Sequence, residues 1–242
     1  MIYPTRAKVF PGLQGGSLVI FFHGLFGGSI DPLCSPEIHR LAERLIQDNI
    51  CAVGLYETSR NLMRDDRDFI AWAKEAFAGK TFADEVHDVE IALKELTNAF
   101  SEYKRLIFVG FSLGGTLSTY FLDTYHPDAV LMFGSGCATR SKHMPIGSTY
   151  PPKSEILDNL KNYRGTLKIF QGTEDAVVPK GGAKQILRAA TKAARRDFVQ
   201  LGGVDHRFQM RYGTPDATLK DFLFKEVVLA VEEIDDRIQK KQ

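Results

Sequence analysis

Residues 106–114, LIFVGFSLG, contain the most informative pattern in this 242-residue chain. Four apolar residues, typical of a strand buried on both faces, come directly before Gly110, and Ser112 follows two positions later. Residues 113–125 then have a helical pattern. A sharp turn from strand to helix would hold the Ser112 hydroxyl clear of the sheet, and glycine at positions 110 and 114 would relieve the crowding in that turn.

Short apolar runs and longer helical patterns alternate along the rest of the chain. We predict strands at 18–22, 50–56, 106–109, 129–133, 166–171 and 197–201. We predict helices at 38–46, 82–100, 113–125, 183–190 and 219–238. The β signal at Val9 and Phe10 is too brief to assign, because Pro11 follows at once. This alternation predicts an α/β fold with a mostly parallel sheet, helices on both faces, and one domain over residues 1–242.

Composition excludes several classes of protein. The net charge of +1 does not indicate a nucleic-acid or anionic-membrane partner. No apolar run approaches the ~18 residues of a membrane-spanning helix, and the first residues lack the pattern of a signal peptide. The three cysteines, Cys34, Cys51 and Cys137, are scattered, which predicts reduced thiols and a cytoplasmic location. The sequence does not indicate an oligomeric state.

A histidine and an acid also follow predicted strands. A serine hydroxyl is a weak nucleophile and needs an adjacent base, for which we predict His206, in a glycine-rich turn after strand 197–201. A carboxylate is needed to orient that histidine, and Asp175, after strand 166–171, is our choice. Glu174 is the alternative. Asp205 is adjacent to His206 and should point away from it.

An oxyanion formed at Ser112 would need preorganised hydrogen-bond donors. We predict the backbone N–H of Leu113 as one donor and that of Leu25, in the loop after strand 18–22, as the other, with Phe26 as the alternative to Leu25. His23, at the start of that loop, is interpreted as a structural residue that shapes the turn.

Together these motifs resemble those of the α/β-hydrolase superfamily over almost the whole chain. GFSLG at 110–114 matches its nucleophile elbow, His23-Gly24 its oxyanion loop, and GTEDAVVP at 172–179 its acid turn. The order serine, acid, histidine also matches. The resemblance implies a three-layer α/β-hydrolase fold with Ser112, Asp175 and His206 as catalytic triad.

The expected activity is that of a serine hydrolase. It would cleave a carboxylic ester or thioester of a small to medium substrate through an acyl-enzyme on Ser112, without a metal or organic cofactor. A peptidase or amidase of the same fold is one alternative. A non-catalytic binding protein is another, which would be expected to have a broken triad. This fold hosts many activities, so the substrate is left open.

Two segments that follow strands, 57–80 and 135–152, should lie at the edge of the sheet where ligands bind. We interpret 135–152 as a short lid-like loop, which argues against a lipase that opens at interfaces. Cys137 is expected to be a packed or loop thiol. The aromatic residues Phe69, Trp72 and Phe77 are expected either to line a pocket or to lie in the core. Three arginines, expected to be paired within a solvated segment, could alternatively bind an acidic substrate group: Arg60, Arg64 and Arg67.

Overall fold

The computed structural model describes residues 5–12, 16–25, 28–30, 36–59, 69–140, 142, 144–179, 181–209 and 216–239. Within these residues one sheet contains seven strands in the order β1-β3-β2-β4-β5-β6-β7. The strands are β1 (Arg6–Phe10), β2 (Ser17–Phe22), β3 (Ala52–Glu57), β4 (Arg105–Phe111), β5 (Ala129–Phe133), β6 (Thr166–Gly172) and β7 (Arg195–Leu201). Strand β1 runs antiparallel to β3, and every other neighbouring pair is parallel. The predicted fold class is confirmed.

Helices connect the strands and cover both faces of the sheet. They are α1 (Pro36–Gln47), α2 (Phe69–Ala76), α3 (Phe82–Ala99), α4 (Leu113–Ser118), α5 (Leu122–Tyr125), α6 (Pro145–Ser148), α7 (Lys153–Asp158), α8 (Gly182–Ala189) and α9 (Asp216–Gln239). A 3₁₀ turn, Thr119–Phe121, lies between α4 and α5. None of the helices, within the part of the chain that is described, has both the length and the apolar composition needed to cross a membrane.

Two hydrophobic cores lie on opposite faces of the sheet, and the residues of β2 alternate between them. Leu18, Ile20 and Phe22 belong to the core that includes side chains of α3, α4 and α8. Val19 and Phe21 belong to the core that includes side chains of α1 and α9. This alternation explains why the central strands contain continuous apolar runs, because each residue of such a run is buried on one face or the other.

The structure differs from the sequence prediction in several elements. The brief signal at Val9 and Phe10 belongs to a complete strand, β1, which lies at the edge of the sheet beside β3. Segments 57–80 and 135–152, for which we predicted no helix, contain helices α2 and α6. Helix α7 was not predicted, and its buried residue is Ile156.

A further difference is that the predicted helix at 113–125 is divided by the 3₁₀ turn. Two hydroxyl side chains donate to carbonyls three residues earlier, Ser118 to Gly115 and Thr119 to Thr116, each at 2.8 Å. Serine and threonine that bond to the backbone in this way compete with regular α-helical hydrogen bonds. We infer that this competition tightens the helix at the division.

A largely buried ion pair fastens the end of β3 to helix α3. The Lys80 ammonium donates to the Asp88 carboxylate, which also accepts from the backbone N–H and hydroxyl of Ser59 at 2.8 and 2.6 Å. Glu85 lies 3.4 Å from the same ammonium. Burial opposes ionisation of Asp88, but the hydrogen bonds from Lys80 and Ser59 outweigh it and hold the pKa of Asp88 below its ordinary value.

Replacing Asp88 by asparagine should therefore destabilise the protein in a pH-dependent way. We expect Asp88→Asn to lower the free energy of unfolding by roughly 2 kcal/mol near neutral pH. This loss is smaller than that for a fully unpaired buried charge, because Glu85 remains beside Lys80. The pKa of Asp88 is lower in the folded than in the unfolded chain, so its stabilisation is complete above the unfolded value of about 3.9 and is lost as the pH falls through the folded value. Urea unfolding at about pH 7 and about pH 3 measures this difference.

Glu95→Gln is the matched control, since Glu95 is an exposed acid on the same helix. It should leave stability within about 0.5 kcal/mol of wild type. A difference between Asp88→Asn and wild type that stays constant over this pH range would contradict the assigned role of the Asp88 charge.

Candidate active site

Ser112 lies at the turn between β4 and α4, with a backbone that few residues adopt. Its φ of 53° and ψ of −117° are strained for a residue with a side chain. Glycine is required on both sides of it. A Cβ at Gly110 would overlap the backbone of Gly115, and one at Gly114 would overlap the carbonyl oxygen of Phe22. The turn thus depends on close backbone contacts that only glycine permits, as the sequence predicted.

A continuous chain of hydrogen bonds joins Ser112, His206 and Asp175. The Ser112 Oγ lies 2.9 Å from Nε2 of His206, and Nδ1 of His206 lies 2.9 Å from Oδ2 of Asp175. A carboxylate can only accept, so Nδ1 carries the proton and Nε2 is free to accept from the serine hydroxyl. These three residues follow β4, β7 and β6, and the structure brings them together at the carboxyl ends of the strands.

The Asp175 carboxylate is almost fully buried and accepts four hydrogen bonds. Oδ1 accepts from the backbone N–H groups of Val177 and Val178 at 2.9 and 3.0 Å. Oδ2 accepts from His206 and, at 2.7 Å, from Nε2 of Gln171. Its side chain is 1% exposed. Burial disfavours the charge, but the hydrogen bonds from His206 and from the two backbone N–H groups outweigh it, so the pKa of Asp175 lies below its ordinary value.

The two acids that are adjacent to Asp175 and His206 in the sequence, Glu174 and Asp205, have different environments from that of Asp175. Glu174 is exposed, and the Thr173 hydroxyl lies 3.5 Å from its carboxylate. Asp205 accepts from the backbone N–H groups of Arg207 and Gln209, both at 2.9 Å. The Asp205 carboxylate therefore closes the loop that carries His206.

Three further residues support this arrangement and were not identified from the sequence: Gly134, Gln171 and Phe208. Gly134 has a φ of 57°, and a Cβ there would lie 3.4 Å from Nδ1 of His206 and 3.5 Å from Oδ2 of Asp175. Phe208 also has a positive φ, 56°, and its ring packs edge-on against Phe133 with centroids 5.7 Å apart. The sequence feature that could have identified Gly134 is its position directly after β5, where a side chain would crowd the edge of the sheet.

Of the two predicted oxyanion donors, Leu113 directly follows Ser112 in the chain, and Leu25 follows a residue whose backbone approaches Ser112. Leu113 is the first residue of α4. Leu25 follows Gly24, where a Cβ would lie 3.4 Å from the Cβ of Ser112. His23 is buried, its Nδ1 donates to the Gly24 carbonyl at 3.0 Å, and its ring packs against Tyr56, in agreement with a structural role. The alternative donor, Phe26, lies outside the described residues.

Segment 135–152 is fastened at both of its ends. The Thr116 hydroxyl donates to the Gly136 carbonyl at 2.9 Å, and the Tyr150 hydroxyl lies 2.9 Å from the Thr116 hydroxyl. The Thr149 hydroxyl accepts from the Phe82 backbone N–H, the first of helix α3, at 2.8 Å. The described part of this segment contains one short helix, α6, and its ends are held against α3 and α4.

Two other candidates, Cys137 and Phe77, take no part in this arrangement. Cys137 is buried with Sγ 3.5 Å from Oε1 of Gln185, and burial raises the pKa of its thiol. Phe77 belongs to the core. The positions that lie outside the described residues or side chains are Cys34, Arg60, Arg64, Arg67, Phe69 and Trp72. No group of three or more His, Cys, Asp or Glu side chains suited to a metal ion occurs within the described part of the chain.

No protein-family model and no curated protein matches the sequence. Solved structures do match the fold. A monoacylglycerol lipase from Paleococcus ferrophilus is 12% identical with a TM-score of 0.66, over 93% of this chain and 99% of the lipase. Est1E from Butyrivibrio proteoclasticus, with ferulic acid bound, is 14% identical with a TM-score of 0.64, over 94% and 99% of the two chains.

A dienelactone hydrolase from Anabaena variabilis is 14% identical with a TM-score of 0.63, over 91% of this chain and 89% of that one. At such low identity these neighbours establish the architecture alone. The strand order, the parallel pairing from β3 to β7 and these neighbours agree, and the chain has the α/β-hydrolase fold.

Proposed function

We propose that this protein is a serine hydrolase that cleaves a carboxylic ester or thioester of a small to medium substrate. The observation that carries the proposal is the hydrogen-bond chain Ser112–His206–Asp175, in which both distances are 2.9 Å. A binding protein on this fold would have no need to keep all three side chains in contact. Fold neighbours that are named as a monoacylglycerol lipase and a dienelactone hydrolase support the same interpretation.

In the first half of the reaction, Ser112 Oγ attacks the carbonyl carbon while Nε2 of His206 takes the hydroxyl proton. The Asp175 carboxylate stabilises the resulting imidazolium through Nδ1. The backbone N–H groups of Leu25 and Leu113 stabilise the oxyanion. His206 then gives its proton to the departing alkoxide or thiolate, and the acyl group remains on Ser112.

In the second half, His206 takes a proton from water, and the hydroxide formed attacks the acyl carbonyl. The tetrahedral intermediate collapses as His206 returns its proton to Ser112 Oγ, which releases the carboxylic acid. An ester or thioester leaving group needs less help from His206 as an acid than an amine does. This difference favours ester or thioester substrates over amides.

Segment 135–152 borders the proposed substrate cleft as a short lid-like loop within the single domain. The bonds of Thr116 and Tyr150 support this, because they fasten the segment beside α4, the helix that begins after Ser112. A short, fastened segment leaves the cleft open rather than closed by a large cap. Substrates of small to medium size are therefore expected to enter without interfacial activation.

Removing the Ser112 hydroxyl should abolish turnover. We expect Ser112→Ala to lower kcat for p-nitrophenyl acetate, butyrate and octanoate by on the order of 10⁶-fold, because no other group replaces the nucleophile. Ser101→Ala is the control, since Ser101 is an exposed serine after helix α3 and should keep wild-type rates. The trend with chain length measures the size of the acyl pocket.

Labelling with a fluorophosphonate, followed by mapping of the modified residue, should place the label on Ser112. A label on Ser112 without turnover of any of the three esters would favour a peptidase or a narrow substrate range. A wild-type protein that neither takes the label nor hydrolyses an ester would overturn the proposal in favour of a binding protein.

The acid assignment is tested by two neighbouring substitutions. Asp175→Asn should lower kcat by about 10⁴-fold, because an amide in place of the carboxylate favours the wrong histidine tautomer. Glu174→Gln should change kcat less than about twofold, since Glu174 is exposed and pairs within its own turn. Parallel measurement of p-nitrophenyl butyrate hydrolysis decides between them, and the reverse order of effects would assign the role to Glu174.

A further inference from the structure

Gln171 is a partly buried neutral residue that faces the most buried charge of the proposed site. It is the penultimate residue of β6, and its Nε2 donates to Oδ2 of Asp175 at 2.7 Å. This is the same oxygen that accepts from Nδ1 of His206. Two donors, one on β6 and one in the loop after β7, thus meet at one carboxylate oxygen.

The orientation of the Gln171 amide is fixed by chemistry. An ionised carboxylate oxygen has only lone pairs, so the amide group that faces it must be the NH₂ group. The amide oxygen then points elsewhere, and this Oε1 is shielded from solvent with no hydrogen-bond partner among the described residues. Leaving a buried carbonyl without a partner is unfavourable for folding. An apolar side chain of similar length would avoid that loss.

We infer that Gln171 is a positioning residue, which holds the ionised Asp175 carboxylate against Nδ1 of His206 at some expense of stability. It acts on the reaction only through Asp175 and His206, and this inference rests on the function proposed above. A hydrogen bond from a neutral amide to a charged oxygen is strong in a buried site, and it restricts rotation of the carboxylate about its Cβ–Cγ bond. The Val177 and Val178 N–H groups hold the other oxygen, so each carboxylate oxygen has its own donors.

Replacing the amide by an apolar group of similar length tests the inference. We expect Gln171→Met to lower kcat for p-nitrophenyl butyrate by about tenfold, the loss expected for one hydrogen bond to a charged group. The KM should stay within about twofold, because in this proposal Gln171 does not contact the substrate. The Tm should stay within about 3 °C of that of wild type, because removal of the unpaired carbonyl offsets the loss of one of the four hydrogen bonds to the Asp175 carboxylate.

Gln200→Met is the matched control. Gln200 lies directly opposite Gln171 in the pairing of β6 with β7 and is exposed, so the same substitution occurs one strand away from Asp175. This variant should keep wild-type kcat and KM. If Gln171→Met keeps wild-type kcat, or loses Tm in parallel with kcat, Gln171 is only a packing residue and the inference is wrong.

Gln171→Glu adds a readout that a packing role would not change. When protonated, the carboxyl group introduced by this substitution can donate to Oδ2 of Asp175 as the amide does, whereas the ionised group repels that oxygen. The ratio of kcat/KM for Gln171→Glu to that for Gln171→Met should therefore fall as pH rises, by about tenfold over the range in which the introduced carboxyl group loses its proton. A ratio that is constant with pH would contradict the inference.

Failure of this inference can be told apart from failure of the proposed function. The rate of fluorophosphonate labelling of Ser112 is measured for wild type and for each Gln171 variant beside ester turnover. If wild type takes the label and hydrolyses esters while Gln171→Met is unchanged in both, only the role of Gln171 is wrong. If wild type does neither, the serine hydrolase proposal fails and the inference about Gln171 falls with it.

Discussion

The constraint on which the site depends is the strained backbone of Ser112. A φ of 53° with a ψ of −117° is tolerated only where the surroundings fix the chain on both sides. Strand β4, in the middle of the sheet, fixes one side, and the contact of Gly114 with the end of β2 fixes the other. Burial of β4 between two cores offsets the strain. The result is a hydroxyl that stands above the sheet edge, where residues from the loops after β6 and β7 lie close to it.

A second constraint is the need to keep Asp175 charged inside the protein. A buried carboxylate without partners would take up a proton and lose its ability to hold a histidinium ion. The chain provides donors from two sources, its own backbone immediately after Asp175 and side chains from β6 and the loop after β7. The local turn and the tertiary contacts therefore act on the same charge, which couples formation of the site to folding of the sheet.

The fold could be predicted where burial produces a strong pattern. The five inner strands were identified because each contains an apolar run, whereas the edge strands have weaker patterns: β7 was predicted only from residue 197 onward, and β1 was not assigned. Helix α3 was predicted at 82–100 from its helical pattern, and it begins with a capping box between Thr81 and Asp84. The division of the predicted helix at 113–125 could not be predicted, because it depends on where the hydroxyls of Ser118 and Thr119 point.

The same reasoning separates what could be predicted of the site from what could not. Ser112, Asp175 and His206 could be selected because each follows a strand and belongs to a residue type with its own chemistry. Gln171 and Phe208 have no such signal, because glutamine and phenylalanine are ordinary residues in and beside strands. These residues matter because of where their side chains point. Gln171 projects from β6 toward the carboxylate of Asp175, four residues later. The ring of Phe208, two residues after His206, packs against Phe133 at the end of β5. Spacing in the sequence identifies groups that can react, whereas the groups that orient them are defined by contacts between strands.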